Sequence, residues 1–368
     1  MPSKLTLALS TALLVCACKP GPTAAPEVIA LNGAGATFPD TVYTEWRFAY
    51  QYVDPSVVIN YQAIGSGGGK KAIADKTVDF AGSDSLLKDD EYAANPTLQM
   101  FPTLAGAEVM IYNLEAITQG LTLDGPTLAG IYLGTITKWN DPAIAALNAG
   151  LPLPDQPIAV VHRSDGSGTT EIFTRFLSAV SAAWKNGPGF GSAVEWPVDK
   201  AGTGIGGKGN AGVAAAVQNT PYSLGYVELS YAVANKITYA DMINAAGQKV
   251  AANAASLQAA MADYGDQFSD KLTIAMISNG PGAGSWPIAG YTYMVIYMDQ
   301  KSDPLYGCAK TEKLLNFVHW ALTDTGAAQR ATALGYATLP ETVRTQVFET
   351  LAKVTCDGRP VDSALTGR

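Results

Sequence analysis

The chain has 368 residues, 48% of them hydrophobic and 15% charged, enough apolar content for real cores and a length that suggests two domains. With 32 acidic against 24 basic residues the formal charge is −8, which argues against nucleic acid, because holding a phosphate backbone needs clustered Lys and Arg. A small anionic ligand stays compatible, since a local set of dipoles can outweigh a mildly acidic surface.

Lys4 gives a positive start, and Leu5–Ala17 is an apolar run too short to span a bilayer as a helix. Residues 1–17 are expected to be a signal peptide. Val15-Cys16-Ala17-Cys18 resembles a bacterial lipobox with Cys18 as the lipidated residue; plain cleavage after Ala17 is the alternative. Residues 18–28, with "KPGPTAAPE", read as a flexible tether. Of the cysteines, Cys308 and Cys356 remain. In an oxidising compartment an even pair is expected to form a disulfide, with two separate buried thiols as the alternative.

Beyond the tether the pattern alternates strand and helix, as in α/β proteins. "TVYTEWRFAYQYV" sets Val42, Trp46, Ala49, Tyr50 and Val53 on one helical face, with Pro39 just before it. "SVVINYQAIG" reads as a strand running into glycines, and "GGGKKAIADK" as the next helix. "TVDFAGSDS" is a short buried strand ending in a polar turn. "AEVMIYNL", "IAVVHRS" and "YTYMVIYM" are further strands. "KLLNFVHWALTDTGAAQRATALGY" is helical with a break near Gly326. "LPETVRTQVFETLAK" is an amphipathic helix stacking Val343, Val347 and Leu351. The tryptophans Trp139, Trp184, Trp196, Trp286 and Trp320 read as packing residues. Lys70, Lys71 and Lys208 read as solvated charges.

Four polar turns share one context, a strand before and a helix after: "GAGATFPD" (Gly33–Asp40), "GSGGGK" (Gly65–Lys70), "AGSDS" (Ala81–Ser85) and "HRSDGSGTT" (His162–Thr170). In an open α/β sheet the strand C-termini face the crevice where ligands bind. Helix N-termini there bring unpaired N–H groups and partial positive charge, and glycine lets the backbone come close. Any one of these turns is ordinary capping chemistry. Four together, with Arg163 as the charged donor, describe an anion cradle.

"GAGATFP", "YQAIGSGGG", "VDFAGSD", "TLAGIYLGTITKWNDPAIAALN", "AVVHRSDGSGTT" and "GGKGNAGVAAAVQ" together resemble the phosphate-binding proteins of bacterial Pst ABC transporters, in matching order from Leu31 to Leu351. The resemblance implies the type II periplasmic-binding-protein fold: two α/β lobes, joined by two crossover strands, with the ligand cleft between them. It implies lobe I at 29–104 plus 280–368 and lobe II at 105–279. It implies inorganic phosphate as ligand, no cofactor, and a membrane permease as partner. It also implies a monomer in the periplasm or at the cell surface, held to a membrane if Cys18 is acylated. Thr37 is then expected to give its hydroxyl and N–H, Phe38 its N–H, and Ser66 its hydroxyl and N–H. Arg163 gives its guanidinium, oriented by Asp165, while Ser167, Gly168 and Thr169 close the cradle. Asp84 accepts a proton from the ligand. Phosphate keeps a proton near neutral pH and sulfate has none, so an ionised Asp84 would reject sulfate by an unpaired, like-charged contact. Arsenate, which is protonated as phosphate is, stays a lookalike.

An enzyme finds little support. "GTGIGGKG" (Gly202–Gly209) has the glycines and Lys208 of a phosphate loop, but Gly209 stands where a Mg-binding Ser or Thr belongs. His162 and His319 lack triad context, and no spacing of His and Cys makes a metal site.

Overall fold

The computed structural model describes residues 28–118, 120–265, 267–275 and 277–366. The signal peptide, Cys18 and all of the tether but Val28 lie outside the described residues.

Three parallel strands begin the fold. Ile29–Gly35 lies between Val57–Ala63 and Phe80–Ser83. Alternation on Val57–Ala63 buries Val57, Ile59 and Tyr61 and leaves Val58 and Asn60 outward, as expected for an edge strand packed on one face. Ala289–Tyr297 adds antiparallel to Phe80–Ser83. Leu98–Tyr112 then joins two halves of the sheet. Its first part, Leu98–Ala107, pairs with Ala289–Tyr297, and its second, Glu108–Tyr112, pairs with Ser223–Glu228. On the far side Ser223–Glu228, Ala159–Arg163 and Gly204–Gly207 run parallel. Counting the short Ala337–Thr338, nine strands make this sheet among the described residues.

Leu98–Tyr112 is far longer than the "AEVMIYNL" strand read from sequence. Pro102 hides its first half, because a proline argues against a central strand. The structure seats Pro102 opposite Tyr293, next to a register shift between Thr292 and Tyr293, where a ladder donor is dispensable.

The first helix is Asp40–Tyr50. It buries Val42, Tyr43, Trp46 and Tyr50, and Trp46 Nε1 donates to Ala327 O at 3.0 Å. Val53 is not on its buried face: the helix stops, the chain turns at Asp54 to reach the next strand, and Val53 is 54% exposed. The C-terminal helical stretch breaks at Asp324 and not at Gly326. Asp324 ends Ala309–Thr323 and caps Thr325–Ala333 by accepting from Ala327 N at 2.9 Å. Val343, Val347 and Leu351 are buried along Glu341–Leu351. Cys308 and Cys356 form a disulfide, with Cα atoms 5.8 Å apart. Trp139, Trp184, Trp196 and Trp286 are core residues, and Trp320 is half-buried.

Lys70 corrects a reading. It is 8% exposed and its ammonium donates to Glu91 Oε2 at 3.0 Å and to Leu86 O at 3.3 Å. The partner lies 21 residues away, so helical periodicity could not reveal it. Among the described residues no helix is long and apolar enough to cross a membrane.

Candidate functional site

Four helices begin where the two halves of the sheet meet: Asp40–Tyr50, Ser66–Ala74, Gly168–Val180 and Gly209–Asn219. Pro39, Gly65 and Lys208 precede three of them and supply no side-chain cap. Only Ser167 caps its helix, accepting from Thr170 N at 3.0 Å. The remaining first-turn N–H groups keep their partial positive charge.

Glycines allow the approach. Gly65 adopts φ +88, and a Cβ there would sit 2.4 Å from Asp165 Oδ2. A Cβ on Gly168 would fall 2.4 Å from Asp84 Cβ. The backbones also join directly, with Gly67 N donating to Gly166 O at 3.0 Å.

Most of the expected residues are brought together. Ser66 Oγ accepts from Asp84 N and from Gly168 N, each at 3.1 Å, so one hydroxyl bridges segments 102 residues apart. Gly168 thus directs its N–H to Ser66 in this arrangement. Arg163, 4% exposed, grips Asp165 through Nε (2.7 Å) and Nη2 (2.6 Å) and gives Nη1 to Thr169 Oγ1 at 3.1 Å. A guanidinium has five N–H donors, so two remain. Thr37, Ser66, Ser167 and Thr169 are buried. Phe38 is buried, and its carbonyl accepts from Tyr336 OH at 2.7 Å. Ser167 N donates to Ser192 O at 2.9 Å, so this residue contributes mainly as the cap.

Asp84 is the acceptor among these donors. Thr292 Oγ1 donates to its Oδ1 at 2.7 Å and Ser66 Oγ to its Oδ2 at 3.3 Å. Burial pushes its carboxyl up to about 7, against the opposing pull of Thr292, Arg163 and Ser66. Asp165 behaves oppositely. Burial favours its neutral form, but the Arg163 fork and Gly209 N (3.0 Å) outweigh that and hold its carboxyl below the usual range.

Asn210 belongs to the same network and sequence reasoning passed over it. It is fully buried; its backbone N and Nδ2 donate to Thr37 Oγ1 at 3.2 and 2.9 Å, and Nδ2 also donates to Thr169 Oγ1 at 3.3 Å. It is neutral and has no catalytic signature. Its clue lay in "GGKGNAGVAAAVQ", one of the stretches that carry the family resemblance, next to Gly202–Gly209, which has the look of a failed phosphate loop. Gly204–Gly207 is in fact a strand, and Gly209 and Asn210 open a helix aimed at Thr37.

His162 takes no part. Its Nε2 meets Asp199 Oδ1 at 2.7 Å and its ring stacks on Trp196. Glu171, also missed, accepts from Ser85 Oγ at 2.6 Å and from Arg175 Nη2 at 2.8 Å beside Asp84. The tight Cys/acid cluster found among the described residues is Cys308, Cys356 and Asp357, whose sulfurs are bonded to each other.

Comparison with known proteins agrees with this architecture. Residues 20–325 match the model of the PBP superfamily domain. The chain is 44% identical over 315 residues to the phosphate-binding protein PstS of Pasteurella multocida, covering 85% of this chain and 87% of that one. It is 39% identical over 360 residues to PstS of Xylella fastidiosa (Temecula1), covering 93% and 95%. Among solved structures, a phosphate-binding protein from Stenotrophomonas maltophilia superposes with a TM-score of 0.61 at 22% identity, over 87% of this chain and 93% of that one. The fold is that of a type II periplasmic binding protein, with two α/β lobes about a crossover.

Proposed function

The chain belongs to the PstS family of phosphate-binding proteins, and on that footing we propose that it binds inorganic phosphate between its lobes and passes it to the permease of an ABC importer. Its family is one of binding proteins rather than enzymes.

One observation carries the ligand reading. The buried polar cluster between the lobes is rich in donors, with Asp84 as an acceptor that, among the described residues, no cation neutralises by direct contact. In this reading Thr37, Ser66, Ser167 and Thr169 donate hydroxyl protons, and Phe38 and Gly168 donate backbone N–H groups as the site fills. Arg163 gives its two remaining N–H groups, and Asp165 holds the fork in place. Hydrogen bonds to a charged ligand contribute about 1.5–3 kcal/mol each, so eight suffice for micromolar binding or tighter, about −8 kcal/mol, after the cost of ordering.

Asp84 supplies selectivity. Ionised, it takes the proton that phosphate still carries. Sulfate has no proton to give and would press an anionic oxygen against a desolvated carboxylate.

The lobes divide, in this proposal, into 29–104 with 280–368 and 105–279. The protein acts outside the cytoplasm as a monomer, tethered through a lipid on Cys18. Mass spectrometry of the membrane fraction showing an unmodified N-terminus would remove the anchor and leave the binding reading untouched.

The deciding experiment is calorimetry on residues 19–368 with phosphate, arsenate and sulfate between pH 6 and 9. Phosphate is expected to bind one to one at micromolar or lower concentration, arsenate to bind as well, and sulfate not measurably at pH 8. No heat with phosphate, or equal binding of sulfate at pH 8, overturns the proposal.

A further inference from the structure

We infer that Asn210 is a positioning residue of this site: it sets the proton directions of Thr37 and Thr169 so that both hydroxyls reach the ligand as donors only.

The inference follows from hydrogen-bond accounting. A hydroxyl has one O–H to give and two lone pairs to receive. At Thr37 Oγ1 both lone pairs are taken, by Asn210 N at 3.2 Å and Asn210 Nδ2 at 2.9 Å. At Thr169 Oγ1 they are taken by Arg163 Nη1 at 3.1 Å and Asn210 Nδ2 at 3.3 Å. Among the described residues every neighbour hydrogen-bonded to these oxygens is a donor, so each O–H must point away from them. The two hydroxyls are thereby unable to accept from a ligand.

The amide orientation is itself imposed. Asn210 Oδ1 accepts from Glu228 N at 3.1 Å. A backbone N–H can only donate, so turning the amide over would set NH2 against N–H and strip each threonine of one of its two donors. Asn210 is fully buried, so water does not substitute freely for these contacts.

The consequence concerns how the ligand lies. Resting on the proposed phosphate reading, the threonine side of the cradle takes only unprotonated oxygens, and the proton-bearing oxygen is left to Asp84. Asn210 therefore contributes to selectivity without being assigned a contact to the anion. It also spans the lobes in the proposed division, since Thr37 lies in the first and Asn210 and Thr169 in the second.

The test is a double-mutant cycle read by phosphate calorimetry at pH 8. Asn210→Ala is expected to weaken phosphate binding by about tenfold or more, the scale of lost hydrogen-bond organisation. In a Thr37→Val/Thr169→Val background the same change should cost less than about threefold, because there are no hydroxyl protons left to orient. Asn210→Asp should be worse than Asn210→Ala, by about another tenfold or more, since a carboxylate accepts from the threonines and turns their protons inward. If Asn210→Ala does not fold, Asn210→Ser carries the same expectation. Equal losses in both backgrounds, or Asn210→Asp binding as well as Asn210→Ala, would overturn the inference. Wild-type protein in the same series separates the two claims: no binding there refutes the proposed function, while wild-type binding with uncoupled variants refutes only the role of Asn210.

Discussion

Glu108 and Glu228 stand directly opposite each other on antiparallel strands at the point where Leu98–Tyr112 passes from one half of the sheet to the other. Both are fully buried. Neither oxygen of Glu108 has a hydrogen-bond partner among the described residues, nor does Glu228 Oε1, while Glu228 Oε2 accepts from Ser230 N at 3.0 Å and lies 2.8 Å from Tyr336 OH. Facing residues in such a ladder have Cβ atoms about 5 Å apart, too close for two unsolvated negative charges.

Protons resolve the conflict. Burial raises Glu108 well above its ordinary value, with Asp84 and Glu228 adding to the rise and Arg163 opposing it. Burial raises Glu228 to about 8. The folded protein holds protons that the unfolded chain has released, so this stabilising contribution is complete below about pH 4.5 and is lost as pH climbs through 8. Glu108→Gln keeps the shape without the acid. Its thermal unfolding midpoint, measured without phosphate, should fall less steeply than wild type between pH 5 and 9. Parallel curves would show that Glu108 carries no proton in the folded protein.

Asp84 gives a second pH-dependent expectation, this one in binding. Its carboxyl, raised by burial to about 7, loses charge as pH falls through that value. A protonated Asp84 is a donor and no longer repels sulfate. Sulfate competition against labelled phosphate should therefore strengthen from pH 8 to pH 5.5. Asp84→Asn should admit sulfate across the whole range, by about 10²-fold or more over wild type at pH 8. Discrimination that ignores both pH and the substitution would remove Asp84 from the selectivity role.

The contrast between Asp84 and Glu108 shows what the sequence could and could not reveal. Asp84 sits in a polar turn after a strand, a setting visible locally, but its expected role comes from the family resemblance. Thr37, Ser66, Arg163 and Thr169 stand out in the same way: each lies in a short strand-to-helix polar turn recognisable within a few residues, while the part each is expected to play comes from the resemblance. Glu108 is one acid inside an apolar run, and only strand pairing shows a second acid facing it. Asn210 is a neutral amide whose partners, Thr37 and Thr169, lie 173 and 41 residues away. The burial of Lys70 depends on Glu91 in the same way. The missing half of Leu98–Tyr112 has another cause, since Pro102 imitates a strand breaker and a register shift in the neighbouring pairing makes room for it.

Charge alone should not replace Arg163. Its planar fork holds Asp165 with two N–H groups, reaches Thr169 with a third and leaves two for an anion. A lysine ammonium offers a point charge and cannot span those partners. Arg163→Lys is expected to weaken phosphate binding nearly as much as Arg163→Ala, by a few kcal/mol, about 10²-fold or more. Calorimetry showing Arg163→Lys within threefold of wild type would mean that positive charge, without the fork, is enough.

Gly168 tests closure separately from chemistry. It opens the Gly168–Val180 helix, where alanine is ordinarily the better helix former. A methyl group there would nonetheless lie 2.4 Å from Asp84 Cβ and 2.6 Å from its backbone carbon, across the junction of the two proposed lobes. Backbone cannot swing aside as a flexible side chain does, so Gly168→Ala must hold the helix start away from Asp84. It also separates Gly168 N from Ser66 Oγ, now 3.1 Å away. The substitution removes no buried apolar side chain from the core, so the unfolding midpoint without phosphate should change little. Phosphate affinity should fall by about 10²-fold, the scale of a misplaced charged contact, and small-angle scattering with phosphate should show a more extended particle than wild type. Normal affinity and a fully closed scattering profile in Gly168→Ala would mean that ligand capture does not require the close Gly168–Asp84 approach.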